Sequence, residues 1–484
     1  MHRLFLVAAA CLLATPAAAE DVTSSIVKIY TTYQRAHWSR PWQMQGSSGR
    51  SGSGCIIEGS RILTNAHVVS DATFIQVRRA GSPDKFVAKV QAISHELDLA
   101  ILVVENLNFF QGATPLRLGE LPAMGDTVVA YGFPKGGTRV TITRGIVSRT
   151  ERDRYSHSGH RNLVCQIDAA INSGSSGGPL LDAKNRIAGV AFQSGRGQNV
   201  GYMIPAPVVA HFFEDLKDGR VDGAPLLPLV WQFLQNPSMR AELGLADGRS
   251  GVVIRRVLFG GEAAQVGDVL YRVGEFPVGN DGTIEFRPRQ RVGLSFAIDR
   301  QQVGSKIQLH LLRDGKEITV DVPLKQSKMT YPYLVHRYRY EVRPSYYIIG
   351  GLVFSRLTSN YISVWDEWSD APQRLTRHWY ERRTDENAWR KDIVVCIDVL
   401  PDELNVGYTW AEDYVVERIN GKRIAQLSDV VDAFDANTEK YHTIQFERRA
   451  SRVVLDREQT AQRSPEILRR YRVPADRSAD LAKK

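Results

Sequence analysis

The chain has 484 residues, too many for one hydrophobic core, so two to four domains are expected. Its formal charge of +9 comes from dispersed basic residues without a zinc-finger, helix-turn-helix or RNP pattern; a solvated surface is the reading, and no nucleic-acid partner is expected. No CxxC or His/Cys cluster points to a metal, and no glycine-rich loop opens a helix as phosphate binding requires, so no cofactor is expected.

In chain order, residues 1–19 read as an export signal. Met1-His2-Arg3 precedes the apolar run Leu4–Leu13, and Ala17-Ala18-Ala19 offers a cleavage site before Glu20. The run is too short to span a bilayer, and Ala8-Ala9-Ala10 lacks the bulky residue that precedes a lipidated cysteine, so Cys11 is expected to leave with the leader. No later stretch is long and apolar enough for a stable membrane span. The expectation is an exported protein, in a bacterial periplasm before an extracellular medium. Cys55, Cys165 and Cys396 then remain, an odd number without framework spacing; a Cys55–Cys165 bridge is conceivable, buried free thiols the simpler account.

Asp21–Thr32 alternates apolar and polar residues, and Gln43–Gly54 is Gly/Ser-rich and expected to be a flexible loop. Short β-branched segments follow at 56–63, 74–77, 87–92 and 99–104, and again at 128–132, 139–147, 163–167, 186–192 and 201–204. That strand–turn rhythm predicts an all-β double barrel rather than an α/β fold. The polar stretch Glu151–Arg161 is expected as an exposed loop with His157 and His160 in solvent, and Pro207–Lys217 as a closing helix.

Chemistry concentrates in three fragments. Asn172-Ser173-Gly174-Ser175-Ser176-Gly177-Gly178-Pro179 follows the apolar run Leu163–Ile167. Glycines permit a tight turn that exposes the Ser176 hydroxyl and aims the N–H groups of Gly174 and Ser176 at one point, an oxyanion hole. A serine alone is a poor nucleophile and needs a base and an orienting group. Thr64-Asn65-Ala66-His67-Val68-Val69 supplies the imidazole, and Asp98-Leu99-Ala100-Ile101-Leu102 sets a carboxylate at the mouth of a buried strand. The order His67, Asp98, Ser176 is one of those known for the same triad geometry. His95 and Glu96 are alternative members whose neighbours fit less well.

These fragments resemble the three signatures of the Deg/HtrA serine proteases; where the family has Asn before the nucleophile, this chain has Ser175. Ser39-Arg40-Pro41-Trp42-Gln43, Ala191-Phe192-Gln193-Ser194 and Val200–Pro205 extend the likeness, which is closest to the plant-type nuclear Deg branch. Gly267-Asp268-Val269-Leu270-Tyr271-Arg272-Val273-Gly274 is similar to a PDZ signature, and Asp413–Lys422 echoes it. PDZ modules add a strand to a sheet edge and capture a terminal carboxylate on backbone N–H groups. The first module has Leu227-Pro228-Leu229 where the family's capture loop has glycine; proline has no N–H to donate, which favours strand docking or a purely structural role. Tyr346–Phe354 holds the apolar-Gly-apolar loop that the first module lacks.

The resemblance implies a mainly β chain: a chymotrypsin-like double β-barrel (protease domain, 20–220), a first PDZ domain (224–328), a second, divergent PDZ-like domain (335–460) and a C-terminal tail (461–484). The segment Trp365–Arg390 is expected as an inserted helix whose tryptophans pack a core. The implied activity is hydrolysis of peptide bonds in unfolded or misfolded protein by a trimer or multiple of trimers, in protein quality control. Ala170, Ile171, Ala191, Phe192, Gln193 and Ser194 are expected to bind the residue before the cut; none is acidic, so a small or medium apolar residue is favoured. The rival class is a chaperone or peptide-binding scaffold with a resting or inactive triad.

Overall fold

The computed structural model describes residues 22–172, 174–194, 200–245, 248–328, 330–381 and 389–482; the expected leader 1–19 lies outside them. β1 (Ile26–Tyr33), β2 (Ser48–Ile57), β3 (Arg61–Thr64), β4 (Ala72–Arg79), β5 (Phe86–Ser94) and β6 (Leu99–Val103) form a first closed barrel in the order β1-β2-β3-β6-β5-β4. Closure comes from β1, which pairs with β2 on one side and β4 on the other. Val27, Ile29, Ile62, Val77 and Leu102 fill its interior, the inward positions of period-two strands. Each such buried aliphatic side chain contributes roughly 1.5–3 kcal/mol. The helical turn α1 (Ala66–Val69) lies between β3 and β4.

A second closed barrel follows from β7 (Thr127–Gly132), β8 (Thr141–Arg154), β9 (Arg161–Ile167), β10 (Pro179–Leu181), β11 (Ile187–Ser194) and β12 (Gly201–Pro205), in the order β10-β11-β12-β9-β8-β7. Helix α2 (Ala206–Asp215) closes it, burying Val209 and Phe212. The mainly β double-barrel architecture thus matches the strand–turn rhythm of the sequence.

Two sequence expectations fail within the barrels. The supposed flexible loop 43–54 is mostly strand β2, in which Gly52 and Gly54 allow close packing. A Cβ on Gly52 would lie 2.6 Å from both Val68 methyls, and one on Gly54 2.9 Å from Leu63 O. The stretch 151–161 is not a solvated loop either. Strand β8 runs on to Arg154, and the tip folds back so that Tyr155 is fully buried and Ser158 and His160 are buried.

Beyond the barrels, a third unit contains β13 (Leu229–Phe233), α3 (Pro237–Glu242), β14 (Val252–Val257), β15 (Val269–Val273), β16 (Phe276–Pro277), β17 (Thr283–Arg287), β18 (Gln290–Gly293), α4 (Ser295–Asp299), β19 (Lys306–Arg313) and β20 (Lys316–Pro323). Its main sheet has the order β13-β14-β15-β19-β20. A fourth unit contains β21 (Tyr346–Ile349), β22 (Leu352–Arg356), α5 (Ser359–Ile362), α6 (Gln373–Glu381), β23 (Val394–Val399), β24 (Tyr414–Ile419), β25 (Lys422–Arg423), α7 (Leu427–Asp435), β26 (Tyr441–Phe446), β27 (Arg452–Asp456) and α8 (Arg457–Arg470), with the sheet order β21-β22-β23-β24-β26-β27. Gly350 and Gly351, both at positive φ, turn β21 into β22.

The chain end is built into this fourth unit. Helix α8 runs across position 460, Ile467 is buried, and Arg477 bridges to Tyr347 along β21. In the insertion, Trp365, Trp368 and Trp379 pack against the core, whereas Trp389 is 45% exposed. Its described helix is α6 alone; residues 382–388 lie outside the described set.

Candidate active site

Asp98 sits in the turn between β5 and β6, at φ +53, a left-handed conformation that Asp tolerates better than most residues. It is fully buried, and its two oxygens both engage His67: the backbone N–H at 2.8 Å and ring Nδ1 at 2.7 Å. Asn65 steadies the same turn by donating from Nδ2 to Asp98 O at 2.8 Å. Burial alone would push the Asp98 carboxyl up, but the His67 ring and the two hydrogen bonds from His67 outweigh it and hold it below the usual carboxylate range. The carboxylate therefore fixes the imidazole with Nδ1 as donor, leaving Nε2 as the acceptor on a ring 30% exposed.

Ser176 lies on the loop before β10. Its hydroxyl donates to Phe192 O at 3.4 Å, a long bond, and among the described residues it makes no hydrogen bond to His67. Gly174 takes φ +96, and a Cβ there would lie 2.6 Å from Lys135 N and Phe133 O, so the loop admits only glycine. Neither the Gly174 nor the Ser176 N–H donates a hydrogen bond to another described residue.

Ser53 joins the two halves, and nothing in its local pattern marks it. From β2 of the first barrel, its N–H donates to Ser176 O and its hydroxyl to Gly174 O, both at 2.8 Å, while the same hydroxyl accepts from Phe133 N. Fully buried, it ties the serine loop to the barrel that carries His67 and Asp98.

The expected pocket residues are placed unevenly. Ala191 and Ile171 are buried in the second barrel's core, Ala170 is exposed, and Gln193 accepts from Ser156 N at 3.1 Å. Ser194 ends β11. The Phe192 ring lies in the core against Tyr155 at 4.7 Å, so this residue meets Ser176 through its carbonyl rather than as a pocket wall.

The alternative pair goes elsewhere. Glu96 is buried 3.6 Å from Lys328 Nζ, in a cluster where Asp299 also bonds Lys328 and Arg152. Burial lifts the Glu96 carboxyl to about 7 against the pull of Lys328. His95 bonds His157 and Glu341. The thiols of Cys55, Cys165 and Cys396 are free and buried, which removes the bridge; burial pushes those of Cys55 and Cys165 up to about 12 and 11.

Comparison with known proteins places the whole chain among relatives. A trypsin-like peptidase domain model matches residues 52–190 and a PDZ domain model residues 335–480. From Arabidopsis thaliana, the putative mitochondrial protease Do-like 3 is 34% identical over 476 residues, covering 97% of this chain and 82% of its own length. The chain belongs to the Deg/HtrA family of serine proteases. It is a serine endopeptidase by that membership. The chloroplastic protease Do-like 2 of the same plant is 36% identical, covering 96% of this chain and 77% of its own. A solved HtrA-type protease, AlgW, carrying a decapeptide is 25% identical with a TM-score of 0.51, covering 64% of this chain and 97% of its own. The Arabidopsis relatives overturn the expectation of an exported, periplasmic protein, since they are named for mitochondria and chloroplasts. No described helix is long and apolar enough to cross a membrane.

Proposed function

We propose that this Deg/HtrA protease cleaves peptide bonds in unfolded or misfolded protein chains through His67, Asp98 and Ser176. The observation that carries the reading is the buried Asp98 carboxylate on His67 Nδ1 at 2.7 Å. Ser176 Oγ attacks the scissile carbonyl carbon while His67 Nε2 takes its proton. Asp98 holds the tautomer and stabilises the imidazolium, which then protonates the leaving amine. The N–H groups of Gly174 and Ser176 stabilise the oxyanion; loss of one such donor typically costs about 3 kcal/mol of barrier. Water then hydrolyses the acyl-enzyme by the same route.

The relatives' names favour an organellar compartment. A peptide substrate is in keeping with the decapeptide held by the AlgW relative. A homo-oligomer, a trimer or a multiple of trimers, and a small or medium apolar residue before the cut belong to the same proposal. One observation favours a second reading, a chaperone or peptide scaffold with a resting triad: the Ser176 hydroxyl rests on Phe192 O. Casein turnover by the full chain beside its Ser176→Ala form tests the proposal. Turnover in the first and none in the second is expected; equal turnover removes Ser176 as nucleophile. Failure of Ser176 to react with a fluorophosphonate under any activating condition supports the scaffold.

A further inference from the structure

The tip between β8 and β9 does not end in solvent. His157 lies with its ring centroid 6.1 Å from that of His67, and its Nε2 is 3.0 Å from His95 Nδ1. His95 Nε2 is in turn 2.6 Å from Glu341 Oε2, in the connector between the third and fourth units. The carboxylate only accepts, so His95 donates Nε2–H to Glu341, while its Nδ1 and His157 Nε2 share one hydrogen between them. Tyr340 stacks on both rings, at 4.0 Å from His157 and 4.5 Å from His95, and donates its hydroxyl to His157 O at 2.6 Å. Asp71 completes the clamp: its N–H donates to Glu341 Oε1 and its carboxylate accepts from Glu341 N, both at 2.8 Å.

These contacts converge on the turn that carries Asp98. His95 is three residues before it, and Glu96 O accepts from Ser158 Oγ and Asn162 Nδ2, both at 3.0 Å. Arg50 ties down the main chain of His67, donating to His67 O at 2.7 Å. Burial pushes the His157 ring down to about 3, so it stays neutral next to His67 and adds no competing charge. Two imidazoles and a phenol under a backbone clamp form a packed wall beside the His67–Asp98 pair. None of them touches Ser176 in the described contacts.

We propose that His157 is a positioning residue for the His67–Asp98 pair and that Tyr340 and Glu341 hold it in place, so the connector before the fourth unit sets the turnover rate of the protease. This rests on the triad reading above. A catalytic pair displaced by about 1 Å can lose on the order of a hundredfold in rate, so a wall of this kind has leverage without touching substrate.

The test measures kcat and KM for a peptide substrate, and the rate of fluorophosphonate labelling, on full-length Tyr340→Ala, Tyr340→Phe and Glu341→Gln. The expected result for Tyr340→Ala is a fall of about tenfold in kcat and in labelling rate, with KM within about twofold. Tyr340→Phe keeps both ring stacks and is expected to recover most of the rate. Glu341→Gln keeps the size of the side chain but loses the charge that orders the two histidines, and falls between them. Unchanged kcat in both Tyr340→Ala and Glu341→Gln overturns the proposal, as does a rise in kcat or an effect confined to KM. Should Tyr340→Ala fail to fold, Glu341→Gln decides alone. Ser176→Ala separates the two claims: activity surviving there removes the triad reading, whereas activity lost there but unmoved by the connector variants removes only this inference.

Discussion

The two barrels share a fold and differ in how they hold their part of the site. In the first, Asp98 is buried and bonded to His67 through both oxygens, with Asn65 and Arg50 closing around the pair. In the second, Ser176 sits on a glycine-rich loop with its hydroxyl on a main-chain carbonyl 3.4 Å away. One barrel holds its two side chains in a closed shell of hydrogen bonds; the other holds its hydroxyl on a glycine-rich loop with a single long bond. The lesson is physical: a buried carboxylate needs a dense shell of donors to offset desolvation, whereas a hydroxyl needs only access and a backbone free to turn.

The largest way to break that contrast is Asp98→Asn. An amide cannot enforce the tautomer in which His67 Nε2 accepts, so kcat should fall about ten-thousandfold with KM little changed. A fall of less than tenfold would mean that the first barrel's pair is not the working base. Loss of the tie between barrels should be intermediate. Ser53→Ala removes the hydroxyl that bonds Gly174 O and Phe133 N, a cost of about 1–3 kcal/mol in stability and a fall in the labelling rate of Ser176. Equal labelling with lowered melting temperature would make Ser53 structural only.

The smallest effect sharpens the description of the shell. With its carboxyl lifted to about 7, Glu96 binds more proton in the folded state than unfolded between about 4.3 and 7. Its contribution to stability is therefore present at low pH and lost as pH rises through that window. Glu96→Gln should match the parent near pH 4.5 and exceed it near pH 8 by on the order of 1–3 kcal/mol in denaturant unfolding. A Glu96→Gln form less stable at pH 8 would show that the pairing with Lys328 outweighs burial.

The parts of this architecture legible in sequence are those written in local pattern. Period-two strands disclosed the barrels, and the three motifs marked His67, Asp98 and Ser176 because each carries its own chemistry on a few neighbouring residues. What stayed hidden depends on distant partners. Gly52 and Ser53 read as a flexible loop because glycine and serine have the same signature whether they turn freely or pack closely; only Val68 and the Ser176 loop reveal which. His157 read as solvated because its partners, His95 and Tyr340, lie 62 and 183 positions away. Tyr155, Ser158 and His160 are buried within a stretch that is polar in composition, a fact no window of sequence contains.

The measurement that bears most directly on the account is the structure of the full chain reacted with a fluorophosphonate. The account predicts phosphorus on Ser176 Oγ, the phosphonyl oxygen between the N–H groups of Gly174 and Ser176, and His67 Nε2 within hydrogen-bonding distance of Oγ with the Asp98 bond intact. Phosphorus on another residue, or a His67 ring beyond hydrogen-bonding distance of the modified serine, would contradict it.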